Sequence, residues 1–314
     1  MNILVTGGAG FIGSHFIASC TDDDTLVNLD ILNYAADPEF AKRSSHFVHA
    51  DIADQNTVAR VLASYDIGAV VHFAAQTHVD RSLKQPDDFL EHNTVGTVRL
   101  LETVQAYWEQ KGRPDAFRFL HISTDEVYGA ILEGQADELA PIFPNSPYAA
   151  SKAAAEHYVR AWHRSYGLPV IISRCANNFG PRQYKEKLIP LMIDRALQGL
   201  PLPIYGSGLQ VRDWLYVGDH VAALKLLLEK GQVGEIYNIS AQDYWRNIDL
   251  VTYLCELLDR YRPTRYAYKD LIHYVDDRPG HDVRYAITAD KMNALGWCPT
   301  KTLKTGLEEM IKNI

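Results

Sequence analysis

Short apolar runs alternate with longer amphipathic stretches through the first half of the chain. Residues 2–6, Thr25–Leu29, His46–Ala50, Ile67–Phe73, Phe117–Ile122 and Leu168–Cys175 read as strands. Runs this continuously apolar suit parallel strands buried on both faces. Between them, the stretch after the glycines at 7–13 to about Cys20, residues 54–64, a long run over 86–111, and Tyr148 to about Ser165 carry helical periodicity. Alternation with short connections predicts an α/β fold, a doubly wound parallel sheet with right-handed crossovers. Beyond residue 176 the alternation weakens. Lys185–Gln198 reads as a helix, Ile204–Gly208 as a hairpin turn and Arg212–Val217 as a strand. Asp219 reads as the start of another helix, Glu235–Ile239 as the last strand of the main sheet, and 247–262 and 302–312 as amphipathic helices. The pattern predicts one domain over 1–176, with a return segment at about 215–240, and a smaller C-terminal α/β domain mainly over 177–314.

Composition narrows the class. The chain has 314 residues, 47% hydrophobic and 22% charged, as in an ordinary soluble protein. Its formal charge is −8, which disfavours nucleic acid as a partner. No apolar run approaches the roughly 20 residues of a membrane helix. The first residues enter a strand pattern without the basic start of a signal peptide, and Cys20, Cys175, Cys255 and Cys298 are far apart. Free thiols in the cytoplasm are the expectation. Without HExxH or a paired Cys/His cluster, no metal site is expected.

The chemistry-bearing residues collect at strand ends, where doubly wound sheets bind ligands. After the first strand comes Gly7-Gly8-Ala9-Gly10-Phe11-Ile12-Gly13, which satisfies both GxGxxG and GxxGxxG. Either spacing allows a tight turn and brings backbone N–H groups to a pyrophosphate at a helix N-terminus. Asp30 ends the second strand, where a carboxylate accepts ribose hydroxyls and repels a 2′-phosphate; that favours NAD over NADP. Asp51 and Ile52 end the third strand and suit an adenine. Phe73, Ala74 and Ala75 end the fourth, the small pair letting a cofactor lie against the backbone. The fifth strand runs into Ser123-Thr124-Asp125-Glu126-Val127-Tyr128-Gly129, a hydroxyl beside two carboxylates. Tyr148 and Lys152, at i and i+4, share one helix face. His78, Asp80 and Arg81 either take part directly or hold a loop together. Arg182, Arg212, Trp214, Arg246, Arg278, Arg284 and Tyr285 gather in the less regular half, where arginine forks suit phosphates.

The glycine turn, Thr124 and Tyr148-x-x-x-Lys152 together resemble the extended short-chain dehydrogenase/reductases. Within them, Ser123–Gly129 resembles the dTDP-glucose 4,6-dehydratases, as do His78-Val79-Asp80-Arg81-Ser82, Glu186–Pro190, Val211–Leu215 and Asp277–Tyr285. The chain departs from that pattern at Gln76-Thr77, at Ile31-Leu32-Asn33 after Asp30, at Lys185 and at Phe179. The resemblance implies a Rossmann domain, tightly held and recycled NAD, a nucleotide-sugar substrate and a homodimer paired through the helices at about 86–111 and 148–165. It implies Thr124, Asp125, Glu126, Tyr148 and Lys152 as the catalytic set. Tyr148 takes the 4-hydroxyl proton, aided by Lys152; Glu126 takes the C5 proton; Asp125 protonates the departing 6-hydroxyl. Asn33 and Asn178 would join the cofactor contacts. Thr77, His78, Asn177, Lys187, Leu188, Pro203, Tyr205, Arg212, Asn247, Arg278, His281 and Tyr285 would line the substrate pocket. A nucleotide-sugar epimerase or decarboxylase, and a non-catalytic NAD-sensing protein, are the alternative readings. The Asp125–Glu126 pair argues against the first and the intact Thr124, Tyr148 and Lys152 against the second.

Overall fold

The structure, a computed structural model, describes residues 1–21, 24–41 and 44–314. The early apolar runs form strands β1 (Asn2–Thr6), β2 (Thr25–Asp30), β3 (His46–His49), β4 (Ala69–His72), β5 (Arg118–Thr124) and β6 (Val170–Cys175). Six further strands follow: β7 (Asn177–Phe179), β8 (Leu202–Tyr205), β9 (Val211–Tyr216), β10 (Ile236–Ile239), β11 (Tyr244–Arg246) and β12 (Ile272–Val275). Seven make one sheet in the order β10-β6-β5-β4-β1-β2-β3, every pairing parallel. Chain order reverses between β1 and β4, where Thr6 pairs with both Leu29 and His72. The crevice at such a reversal is where this architecture opens a ligand site.

Both faces of the sheet's inner strands are covered, which is why those strands are mostly apolar; the edge strand β3 (His46–His49) is largely exposed. Ile3 and Val5 of β1 point to one face, against Phe16 and Ile17 of the helix Phe11–Ser19 and Leu224 and Leu227 of Val217–Lys230. Leu4 points to the other, with Val58 and Leu62 of Gln55–Ser64, Leu100 and Val104 of Gly96–Gln110, and Val159 of Pro147–Tyr166. Period-two alternation thus survives in β1, but neither of its faces is wet. Truncating fully buried Leu4 to alanine would cost about 2–5 kcal/mol.

The smaller C-terminal α/β part holds a three-stranded sheet, β11-β9-β7, and a parallel pair, β12-β8. Helices Leu188–Leu197, Asn247–Tyr261 and Leu303–Lys312 close its core around Met192, Leu250, Leu254 and Leu307. Between the last two of these helices the chain returns: Ala289, Met292 and Trp297 pack into the core of the large sheet.

Four local expectations fail. Ile204–Gly208 is no hairpin, because β8 pairs with distant β12 and only Gly206–Gly208 turns. The helix expected from Lys185 begins at Leu188, with Lys187 as its extended N-cap residue. Asp219 lies inside the helix Val217–Lys230 rather than capping it; its carboxylate accepts from Thr300 and Lys301 backbone N–H groups, both at 3.0 Å. The run 86–111 is not one α-helix but Pro86–Phe89, a π-helical turn Leu90–Val95, and Gly96–Gln110. Asn93 in that turn accepts from Gln76 N (2.7 Å) and donates to Gln76 O and Ser151 Oγ (both 2.9 Å). Those bonds tie the turn to the loop after β4 and to the helix Pro147–Tyr166, a tertiary demand invisible to periodicity.

Candidate active site

β1 ends at Thr6, and the chain turns through Gly7 (φ 73°) into the helix Phe11–Ser19. A Cβ on Gly7 would stand 2.6 Å from Ala74 N, and one on Gly13 2.4 Å from Gly7 O. Side chains are therefore excluded where the turn meets the end of β4, and the helix N-terminus opens onto a cleft. That cradle fits a dinucleotide pyrophosphate. The cleft holds about 290 Å³ and runs from Asp30, Asp51 and Ile52 past the glycine turn to Thr124 and Lys187. At its far end Asp30 Oδ2 accepts from Ala9 N (2.9 Å) and Oδ1 from Leu32 N (2.8 Å). These bonds aim the carboxylate, and burial pushes its pKa up.

At the other end β5 delivers Thr124, which caps the short 3₁₀ turn Asp125–Tyr128 by accepting from Glu126 N at 3.3 Å. Thr124 also donates to Asp125 Oδ1 at 3.3 Å. Burial, then the neighbouring Glu126 and Asp213 charges, push the Asp125 pKa well above the usual carboxylate range. Burial raises Glu126 too, but Arg278, Arg212 and Lys187 pull it back. Two adjacent carboxyls thus have unlike surroundings, the arrangement that separates an acid from a base.

Tyr148 stands in the first turn of Pro147–Tyr166, a helix capped by Ser146 Oγ accepting from Ala149 N at 3.1 Å. Lys152 follows one turn later and donates to Ile122 O at 2.7 Å. Burial brings Lys152 down to about 8, with Glu156 opposing. Lys152, expected to aid Tyr148 as a base, does not leave its phenol depressed in the protein alone. Burial, reinforced by Glu126, pushes the phenol well above its ordinary value, and the Thr124 hydroxyl pulls the other way.

A third group stands at and beyond the cleft's polar end. Lys187 donates to Thr77 O at 2.7 Å. Arg278 meets Asp80 at 3.3 Å, and Tyr205 donates to the same carboxylate at 2.9 Å. Asp80 lies in the helix Val79–Lys84 rather than a loop and joins the two parts of the molecule. Arg212 stacks 4.3 Å over the Tyr285 ring, whose hydroxyl donates to Asp282 (2.8 Å) and reaches Glu126 Oε2 at 3.4 Å.

The cleft brings together every residue expected on the cofactor: Gly7, Gly10, Phe11, Ile12, Gly13, Asp30, Asn33, Asp51, Ile52, Phe73, Ala74, Ala75, Tyr148, Lys152 and Asn178. Thr77, Thr124, Asp125, Glu126, Asn177 and Lys187 line it as well. It does not include His78, Leu188, Pro203, Tyr205, Arg212, Asn247, Arg278, His281 or Tyr285. Glu186 lines it but had been given no role. Tyr34 donates to Glu186 Oε1 at 3.0 Å, His78 lies 3.8 Å away, and the Arg81 guanidinium sits 3.8 Å over the Tyr34 ring. These contacts bridge the loop after β2 to the loop before Leu188. The sequence signals for Glu186 were its place at the head of the Glu186–Pro190 segment and beside Lys187.

A switch-point crevice with a glycine turn, and a Tyr-Lys pair on the helix Pro147–Tyr166 that lines it, define a nicotinamide-dependent short-chain dehydrogenase/reductase. A family model described as GDP-mannose 4,6 dehydratase matches residues 4–310. A dTDP-glucose 4,6-dehydratase from Salmonella typhimurium is 47% identical, over 99% of this chain and 92% of its own. The solved dTDP-glucose 4,6-dehydratase of Streptomyces venezuelae, with NAD bound, superposes with a TM-score of 0.91 at 40% identity, covering 99% of this chain and 96% of that one. A UDP-glucose 4-epimerase from Thermus thermophilus, in complex with NAD, gives 0.88 at 31% identity, over 99% and 98%. The chain belongs to the dTDP-glucose 4,6-dehydratase family, and it is an enzyme of the hydro-lyase class.

Proposed function

We propose that this enzyme converts dTDP-glucose to its 4-keto-6-deoxy product, with NAD held along the cleft from Asp30 to Lys152. The observation that carries this reading is the Asp125–Glu126 pair, in unlike surroundings, in the cleft that also holds Tyr148 and Lys152. Bound NAD would supply the hydride acceptor at C4 and the hydride donor at C6. Tyr148 takes the proton from the 4-hydroxyl while Thr124 hydrogen-bonds the 4-oxygen, and Lys152 favours the phenolate. The resulting ketone acidifies C5. Glu126 removes that proton, and Asp125, kept protonated by burial, gives its proton to the departing 6-hydroxyl, which leaves as water. Glu126 returns its proton to C5. The proton left on Tyr148 equals the one lost from Asp125, and exchange of the two with solvent restores the resting state. Lys187, Arg212, Arg278, Tyr205, His281 and Tyr285 hold the nucleotide diphosphate from the smaller domain, with His78, Leu188, Pro203 and Asn247 around them.

The domain division is 1–176 with a return at about 215–240, and 177–314 for most of the rest. The protein works as a cytoplasmic homodimer. Its helices on the dimer side leave Leu90, Tyr158 and Tyr166 exposed, at 50%, 46% and 46%. No helix among the described residues is long and apolar enough to cross a membrane, and all four cysteines are free.

The test is incubation of the purified protein with dTDP-glucose without added NAD, following the alkali-absorbing 4-keto product, with UDP-glucose in parallel. Product from dTDP-glucose, lost in Glu126→Gln, is expected. No product from either donor, even with NAD added, would overturn the reading.

A further inference from the structure

A buried network that the proposed chemistry does not use joins the elements that carry it. Arg174, in β6, donates to Glu156 from Nε (3.0 Å to Oε2) and from its terminal nitrogen (2.7 Å). Its other terminal nitrogen donates to the Tyr128 hydroxyl at 2.7 Å, and the guanidinium lies 4.7 Å from the Tyr128 ring centre. The Tyr128 hydroxyl in turn donates to Asn238 Oδ1 in β10 at 2.8 Å. None of the four side chains is surface material: Glu156 and Asn238 are fully buried, Arg174 is 1% exposed and Tyr128 2%.

The connections matter because of where each residue is mounted. Tyr128 is the last residue of the turn that carries Asp125 and Glu126. Glu156 follows Lys152 by one helical turn, as Lys152 follows Tyr148, so the three share one face of the helix Pro147–Tyr166. Arg174 pairs with Ser123 across the β5–β6 register, one residue before the Cys175–Thr124 pair. The guanidinium therefore sits where the turn, the helix and the sheet meet.

We propose that Tyr128, Arg174 and Glu156 are positioning residues, a clamp that sets the acid–base turn at Asp125–Glu126 against the helix face of Tyr148 and Lys152. A buried ion pair is a poor source of stability by itself, because desolvation offsets the attraction; apolar side chains of the same volume do as well or better. What a planar guanidinium does supply is direction, with two bonds to one carboxylate and a third fixed in the same plane. Direction is what this site needs. The proton acceptor for the 4-hydroxyl comes from the helix, and the acid and base for C5 and C6 come from the turn. An error of about 1 Å between such elements costs on the order of 100-fold in rate. Glu156 also supports the cationic form of Lys152 against burial.

The clamp rests on the dehydratase reading, and its test separates the two. Tyr128→Phe removes only the hydroxyl that links Arg174 to Asn238 and keeps the ring. The expected result is a fall in kcat of about ten-fold or more, with KM for dTDP-glucose and calorimetric NAD affinity unchanged. Amide hydrogen exchange should quicken in the 125–129 turn and not in β1 or β2. The paired variant Glu156→Leu/Arg174→Met removes the ion pair without leaving a lone buried charge. It should fold and lose activity, with the alkaline limb of its pH–rate profile moved to lower pH as Lys152 loses Glu156. Wild-type kcat in Tyr128→Phe would overturn the clamp, as would wild-type kcat and pH profile in a folded double variant. If the unmodified enzyme makes no product from dTDP-glucose, the dehydratase reading fails. Exchange in Tyr128→Phe then decides the clamp alone: unchanged protection of the turn overturns it, and quickened exchange confined to the turn upholds it.

Discussion

The two ends of the substrate region are built differently. The acid–base end comes from regular elements of the large sheet: Thr124 ends β5, Asp125 and Glu126 occupy the turn it caps, and Tyr148 and Lys152 project from one long helix. Thr124, Asp125, Tyr148 and Lys152 are all buried. The opposite end comes mostly from loops and short strands of the smaller domain. Arg278 and Tyr205 are held by bonds to Asp80 on the first domain, and Tyr205 is 40% exposed. Proton transfer tolerates little positional error and gains from a dry surrounding. A diphosphate spreads its charge over several oxygens and is satisfied by flexible cationic side chains. On the proposed reading, regular elements of the large sheet carry the groups at the bonds that change, and loops and short strands carry those that would grip the nucleotide, although Arg212 and Tyr285 there are also buried.

The largest effects should fall on the buried end. Tyr148→Phe and Glu126→Gln should each lower kcat by about 10²–10⁴ with little change in KM. They should differ in how they stop: with substrate, reduced nicotinamide fluorescence should build up in Glu126→Gln and stay absent in Tyr148→Phe. Equal behaviour would break the assignment of separate steps to helix and turn. At the gripping end, Arg278→Gln should raise KM for dTDP-glucose by about 10–100-fold, the worth of one charge-assisted hydrogen bond, and change kcat less. A kcat defect with normal KM would erase the contrast between the two ends.

Stability should show a smaller effect of opposite sign. The folded state raises the Asp125 pKa, so the stability it contributes is full below the unfolded value of about 3.8 and is lost as pH rises through the folded value. Asp125→Asn should therefore be inactive yet melt higher than the parent near pH 8, by about 2 °C or more, with the gain vanishing near pH 4. No gain at any pH would mean the carboxyl is not held at a cost. The smallest effect belongs to the bridge over the cleft. Tyr34→Phe removes the bond to Glu186 and should quicken loss of bound NAD a few-fold in dialysis, with the dehydration rate at saturating NAD unchanged.

Much of this was legible before folding. The β1 run with its glycine turn, Asp30 at the end of β2, and the Tyr148–Lys152 spacing are local patterns, and local patterns survive into the structure. The residues that escaped are those whose meaning is a distant partner. Asn93 distorts a helix because Gln76 and Ser151 lie beside it. Strand β8 exists because β12 pairs with it. Glu186 faces the cleft because Tyr34 reaches it from another loop.

By itself, then, the sequence determined the alternation of strands and helices, the glycine cradle and the residue types that carry the chemistry, because each is written within one or two turns of chain. Only the tertiary structure decided which carboxyl is the drier, that Arg174 and Glu156 meet beneath the site, and that burial and the Glu126 charge push the Tyr148 phenol up. Those outcomes depend on desolvation and on charges brought close from remote parts of the chain. Neither quantity exists until the chain has folded.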